Sequence, residues 1–189
     1  VKRLLDLFLA TIFLAIFCLP MLVIAVLVRW TSEGPAVYWS ERVGKSNRIF
    51  RMPKFRTMRV NTPSIGMHLL PDDKDWVTPL GHFLRRSSLD ELPQLWSILI
   101  GDMSFVGPRP VIPEEHLLVA MRALHNVHQL KPGLTGWAQV NGRAELRLNE
   151  KLALDIYYLE HQSILFDIKI LLLTFVKVIL RKNVVRTKK

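Results

Sequence analysis

Two acidic residues stand side by side at Asp90 and Glu91, shortly after the paired arginines Arg85 and Arg86. A further arginine, Arg109, sits in the stiff run Gly107-Pro108-Arg109-Pro110. These are the residue types of phosphate chemistry. Guanidinium forks match phosphate oxygens in pairs. Adjacent carboxylates can divide labour, one as nucleophile and the other as metal ligand or base. A plainer account competes with this one. Ser88 followed by Glu91 has the spacing of a capping box, and acids in a helix's first turn favour its dipole. Pro93 is awkward inside such a helix, so the helix starts near Leu92-Pro93 or its first turn is distorted. Both cases leave Asp90 and Glu91 at or just before a helix N-terminus, a place that favours anions and metal-bound phosphates.

Other chemistries leave little trace. The sequence has no Walker loop, no dinucleotide-type glycine pattern and no nucleophile elbow. His125 and His128 are three residues apart where a predicted helix ends but have no third zinc ligand in view. Cys18 is the only cysteine. No intrachain disulfide or cysteine-based zinc site is therefore possible, which fits a reducing compartment.

The elements that must position the acids begin with composition. At 189 residues the chain is one domain's worth, half hydrophobic, with a formal net charge of +10. Such a charge suits nucleic acid or an anionic membrane surface. The last nine residues supply five of those ten charges. Short strands are predicted at 38–40 and 48–55, around a turn at Gly44-Lys45-Ser46-Asn47, and "MPKFRTM" (52–58) follows. Residues 61–79 are rich in proline, aspartate and threonine and read as a loop. Helices are predicted at 80–87, 89–100, 113–127 and 145–161. "GDMSFVGPRP" and "KPGLTGWAQVNGR" are too rich in glycine and proline for long regular elements, and such loops often carry sites.

The two ends are apolar in different ways. Leu7 to Val28 would form about 33 Å of helix, enough to cross a bilayer. Pro20 interrupts it, removing a backbone hydrogen bond. Both flanks are basic and prefer the cytoplasmic face, so a re-entrant path that breaks at Pro20 competes with a straight span. Ile164 to Leu180 instead carries Asp167, Thr174, Lys177 and Arg181 along one face. That pattern suits either a helix lying in the membrane interface with snorkelling lysines or an ordinary amphipathic core helix. Asp167 is an expected partner for Lys2 or Arg3. Nucleic-acid binding explains the charge but not the apolar run.

"LRRSSLDELPQLWSILIGDMSFVGPRP", "KFRTM", "KPGLTGWAQVNGR" and an N-terminal "KRLLD" before a proline-interrupted apolar segment together closely resemble the bacterial sugar transferase family, the monotopic polyprenyl-phosphate phosphoglycosyl transferases. The resemblance runs over essentially the whole chain. It implies a mainly α fold with a small β element. A re-entrant helix-break-helix anchor would occupy residues 1–29. A compact cytosolic catalytic domain with amphipathic interfacial helices would occupy 30–180, and a basic tail 181–189. Lys2, Arg3, Pro20 and Asp167 would position the anchor. The family often has Ser-Pro at the break, whereas Leu19-Pro20 stands here. Larger members carry extra membrane helices first, so either a minimal or a trimmed member is expected.

The resemblance also implies an activity. Such enzymes work on the cytoplasmic face of the bacterial inner membrane. They move a sugar 1-phosphate from a UDP-sugar to polyprenyl phosphate, release UMP and require Mg2+. Asp90 falls on the nucleophile and metal ligand, Glu91 on its partner, and Arg85 and Arg109 on the phosphate contacts. Expected partners are the UDP-sugar, the polyprenyl phosphate, an anionic lipid bilayer and downstream glycosyltransferases, with no nucleic acid. The competing expectation is a non-catalytic membrane-surface scaffold derived from the same family.

Overall fold

The computed structural model describes residues 1–63, 76–142 and 146–179. Most of the predicted loop at 61–79, Arg143 and the basic tail at 181–189 lie outside the described residues. Helices dominate, with two small sheets.

Helix α1 (Lys2–Thr31) opens the fold. Its first turns are polar and tied down. Lys2 Nζ pairs with the Asp167 carboxylate. The Arg3 guanidinium donates to the carbonyls of Ile98 at 2.5 Å and Leu99 at 2.6 Å. Asp6 Oδ1 accepts from the Ser104 hydroxyl and the Phe105 N–H, both at 3.1 Å. Farther along, Ala10 enters the main core with Met52, Ile98, Met103 and Ile170. Ile24 and Val28 enter a smaller core with Phe55 and Leu84. Phe8, Ile16, Leu19, Leu22 and Trp30 point outward. Among the described residues, α1 is the one helix long and apolar enough to cross a membrane.

The sequence predicts a helix-break-helix at Pro20, and here the structure differs. The helix runs uninterrupted through Pro20. Proline's fixed φ is itself helical, so what is lost is one hydrogen bond to the Ile16 carbonyl, with crowding in that turn. Strongly helical apolar neighbours on both sides absorb that loss without unwinding.

Strands β1 (Val37–Val43) and β2 (Ile49–Phe55) form an antiparallel hairpin that pairs Tyr38 with Lys54, Ser40 with Met52 and Arg42 with Phe50. Alternation along β2 then sorts its side chains. Phe55 packs under α1, while Lys54 faces the opposite way. Helix α2 (Pro79–Ser87) starts at Thr78, whose hydroxyl accepts from the Gly81 N–H at 3.0 Å.

The single helix predicted over 89–100 is two elements. A 3-10 turn at Leu89–Glu91 precedes α3 (Gln94–Ile100), and Pro93 occupies its N-cap. The expected capping box at Ser88 is absent as well. Ser88 lies in the left-handed region with φ 58°, ends α2, and makes no side-chain cap bond.

Strands β3 (Ser104–Val106) and β4 (Gly133–Thr135) pair in parallel, inside the two glycine- and proline-rich runs. Helix α4 (His116–Leu124) makes the crossover, as parallel pairing requires. The pairing demands close backbone approach. A Cβ on Gly133 would lie 2.1 Å from the Gly107 nitrogen, and one on Gly136 would lie 2.0 Å from the Gly107 oxygen. Helices α5 (Trp137–Asn141), α6 (Leu148–Glu160) and α7 (Ile164–Ile179) complete the described chain.

Helix α7 has its polar face inward. Asp167 is 3 % exposed and accepts from Lys2 and the Tyr158 hydroxyl. Thr174 shares a hydrogen bond with Thr135 at 2.7 Å, and Lys177 donates to the Val140 carbonyl. Leu165, Leu172 and Phe175 face out, Leu165 at 80 % exposure. An ordinary core helix has the reverse polarity.

Candidate active site

Asp90 and Glu91 meet the hairpin where β2 ends. Ser88 turns the chain sharply after α2, so the 3-10 turn presents both acids toward Lys54. Lys54 Nζ lies 2.9 Å from Glu91 Oε1, and Arg109 Nη2 lies 3.4 Å from the same oxygen. Glu91 is therefore clamped by two cations. Asp90 is buried beside it and, among the described residues, accepts no hydrogen bond. Arg85, on the last turn of α2, donates Nε to the Thr57 hydroxyl at 2.8 Å.

These surroundings push the two carboxyls apart. Burial, then the Glu91 charge, lifts Asp90 from 3.8 to about 6, against the pull of Lys54, Arg85 and Arg109. Burial alone would lift Glu91 too, but Lys54 and then Arg109 override it and hold it at about 2. Burial lowers Lys54, opposed by Glu91. The result is a carboxylate ionised at neutral pH and paired through one oxygen, next to a more basic carboxyl that, among the described residues, accepts no hydrogen bond. Environments that split a carboxyl pair in this way assign different roles to its members.

The backbone of Arg109 is rigidly held. The Gly107 N–H donates to the Thr135 carbonyl and the Gly133 N–H to the Pro108 carbonyl, both at 2.9 Å. Arg122 Nη1 donates to the Arg109 carbonyl at 2.9 Å. Arg122 is itself fixed by Asp155, whose Oδ2 accepts from Nε at 3.0 Å and Nη2 at 2.6 Å. The Arg109 side chain beyond this frame is about half exposed, at 55 %.

The structure thus brings Asp90, Glu91 and Arg109 together, with Arg85 on the adjoining helix end. Lys2, Arg3 and Asp167 are grouped elsewhere, at the start of α1. Lys54, Arg122 and Asp155 are not singled out by the sequence. Lys54 left a signal in "KFRTM", where period-two alternation around the core residue Phe55 turns a lysine to the other side. Arg122 and Asp155 are 33 residues apart and left none.

Magnesium takes one or two carboxylates, several waters and substrate phosphates rather than an all-protein cage. Among the described residues no group of three or more metal-ligating side chains is assembled. Among the described residues Asp90 is the acid of the pair with no ion pair or hydrogen bond, whereas Oε1 of Glu91 accepts from Lys54 and Arg109. The donor set fits a magnesium ion shared with substrate phosphates.

The family model described as "Bacterial sugar transferase" matches residues 1–181. The chain is 38 % identical over 186 residues to "Uncharacterized sugar transferase EpsL" of Bacillus subtilis (strain 168), covering 98 % of this chain and 91 % of that protein. It is 38 % identical over 183 residues to the "UDP-glucose:undecaprenyl-phosphate glucose-1-phosphate transferase" of Escherichia coli (strain K12), covering 93 % of this chain and 39 % of that protein. A protein of the same name from Xanthomonas campestris pv. campestris is 41 % identical over 190 residues, covering 96 % and 39 %. The chain thus spans 39 % of the length of each of these two transferases. With a family model matched from α1 through α7 and the acid pair clamped between β2 and the Arg109 loop, the chain belongs to the bacterial sugar transferase family.

Proposed function

We propose that this protein transfers a sugar 1-phosphate from a UDP-sugar to polyprenyl phosphate and releases UMP. The observation that carries the reading is the asymmetry of the acid pair. Asp90 is buried, without a hydrogen bond among the described residues, and raised to about 6, while Glu91 is held through Oε1 by Lys54 and Arg109. At neutral pH most Asp90 is ionised, yet it is more basic than an ordinary aspartate. That combination suits a nucleophile.

In the first half-reaction an Asp90 oxygen attacks the phosphorus that bears the sugar. The bond from that phosphorus to the bridging oxygen breaks, and UMP leaves with the electron pair. In the second, an oxygen of polyprenyl phosphate attacks the same phosphorus, the aspartyl–phosphorus bond breaks, and the Asp90 carboxylate returns. Arg109 and Arg85 bind and orient phosphate oxygens. Lys54 keeps Glu91 anionic, and Glu91 holds Arg109 in place. Mg2+, held by Asp90, would supply neutralisation of phosphate charge.

The acceptor is a lipid, so the acids must sit near a bilayer surface. Trp96 and Ile100 on α3, outward α1 and the outward face of α7 offer exposed apolar side chains for this. Both halves of α1 pack on the same domain, Lys2 to Ala10 at one end and Ile24 to Val28 at the other. This supports a monotopic anchor that enters and leaves on the cytoplasmic face of the inner membrane, with the Pro20 turn, which lacks a hydrogen bond, as the place where the helix can bend. The reaction would open a surface-glycan or glycoprotein pathway, its product passing to downstream glycosyltransferases.

The test is a trapping experiment. Purified protein in micelles, given a UDP-sugar labelled in the sugar and no lipid, is expected to release one UMP per chain and to retain label on the peptide containing residue 90. Steady UMP release that needs the lipid, with no label ever on that peptide, overturns the covalent path. No UMP release with lipid and Mg2+, over a panel of UDP-sugars, overturns the reaction.

A further inference from the structure

Arg42 lies on the Lys54 side of the hairpin. The pairs Tyr38–Lys54, Ser40–Met52 and Arg42–Phe50 alternate onto one face. Arg42 Nε donates to the Ser40 hydroxyl at 3.1 Å, which turns the side chain back along β1 toward Lys54. The next residue, Val43, donates its N–H to the Val111 carbonyl at 2.9 Å. The strand bearing Arg42 therefore abuts the loop bearing Arg109.

Charge by itself makes this placement unfavourable. Burial and then the Arg109 charge disfavour the Arg42 cation, with Glu115 and Glu91 giving partial relief. No ion pair closes between Arg42 and either acid among the described residues. Among those residues, too, the two terminal nitrogens of Arg42 donate no hydrogen bond, and Arg109 contributes one side-chain bond, to Glu91. Two guanidiniums that repel each other, partly out of water and with donors unengaged, become a favourable arrangement when an oxyanion lies between them.

We propose that Arg42 is a further phosphate-binding residue and that a substrate phosphate bridges the Arg42 and Arg109 guanidiniums. This rests on the proposed function for the source of the phosphate, either the diphosphate of the donor or the single phosphate of the lipid acceptor. A fork on β1 and a fork on the Arg109 loop approach the anion from two elements, so it is oriented as well as neutralised.

The experiment titrates the full chain in micelles with UDP and, separately, with a short-chain polyprenyl phosphate. Arg42→Gln is expected to weaken one of them by about tenfold or more, the scale of one charge-assisted hydrogen bond. Loss confined to UDP assigns Arg42 to the donor, and loss confined to the lipid assigns it to the acceptor. Both affinities staying within about twofold of wild type, or wild type binding neither probe, overturns the proposal. UMP release by wild type is measured alongside. Binding that depends on Arg42 without UMP release keeps the subsite and removes the transferase reaction, so the two failures are distinct. Where Arg42→Gln melts too low to assay, Arg42→Lys decides. Its point charge cannot fork to two oxygens, so a loss of about threefold or more is expected, and unchanged affinity for both probes overturns the proposal.

Discussion

Lys54 Nζ and Glu91 Oε1 lie 2.9 Å apart, and this ion pair ties the end of strand β2 to the turn that carries Asp90. It engages one acid of the pair and leaves its neighbour without a hydrogen bond among the described residues. Electrostatic asymmetry between two adjacent carboxyls thus begins with the register of a hairpin.

Asp90→Asn removes the proposed nucleophile with almost no change of shape. Turnover should fall by about 10³-fold or more, as for other groups that form the covalent bond. The circular dichroism spectrum and flotation with vesicles should match wild type. Activity within tenfold of wild type ends the assignment.

The same substitution should stabilise the fold at neutral pH. Asp90 has a folded value of about 6 against an ordinary 3.8, so the folded state holds its proton more tightly than the unfolded state. Wild type therefore loses stability as pH rises from about 4 through 6, whereas Asn does not ionise. A gain of about 1–3 kcal/mol is expected at pH 7.5 and should shrink toward zero at pH 4. Glu91 has the opposite sign. Its folded value of about 2 lies below the ordinary 4.5, so its stabilisation is present above pH 4.5 and is lost as pH falls toward 2. Denaturant titrations at several pH values separate the two.

The acid limb of the kcat/KM profile reports the free enzyme's essential base. It should bend near pH 6 in wild type where Mg2+ arrives with the donor, and lower where the ion is already on Asp90. Glu91→Gln removes a negative neighbour that raises Asp90, so its bend should move to lower pH, with severely reduced turnover. Lys54→Met removes a cation that lowers Asp90, so its bend should move to higher pH. Shifts in the same direction for both variants would contradict the coupling.

Much of the acid site was legible because its residues lie in contiguous runs. Asp90 and Glu91 are adjacent, and Arg109 is stiffened by its own prolines. The capping-box expectation failed because Ser-x-x-Glu is a spacing rather than a conformation. Ser88 adopts positive φ, and Lys54 takes the Glu91 side chain. Lys54 and Arg42 were not assigned to the site because their place depends on pairing Tyr38 with Lys54, a long-range fact. The α7 pattern showed two faces but not which one meets water. Lys2, Tyr158, Thr135 and the Val140 carbonyl, all outside the helix, turn its polar face inward. Pro20 was read from its missing N–H, while the surrounding helix carried through it.

Arg122 and Asp155 form an ion pair with side chains 12 % and 2 % exposed, so breaking it should be costly. Arg122→Ala leaves a buried carboxylate without its partner and should destabilise by about 3–5 kcal/mol. Replacing both, as Arg122→Met with Asp155→Leu, should recover most of that stability. It should not recover activity, because the Arg109 carbonyl has lost its donor. A double variant with wild-type stability and wild-type kcat/KM would show that Arg122 serves the fold alone.

A cysteine added before Val1, in a Cys18→Ser background, should resist a membrane-impermeant maleimide applied outside intact cells and react after permeabilisation. Placing the N-terminus outside would pull Lys2 from Asp167, Arg3 from the Ile98 and Leu99 carbonyls, and Asp6 from Ser104 and Phe105. Asp167 would then be buried without its cation, at a cost of about 3–5 kcal/mol, and Asp6 would lose its donors as well. A re-entrant α1 keeps all of these contacts and gives up mainly the hydrogen bond that Pro20 already lacks. Efficient external labelling would mean that α1 spans the bilayer and that its first turns are not bound to the catalytic domain in cells.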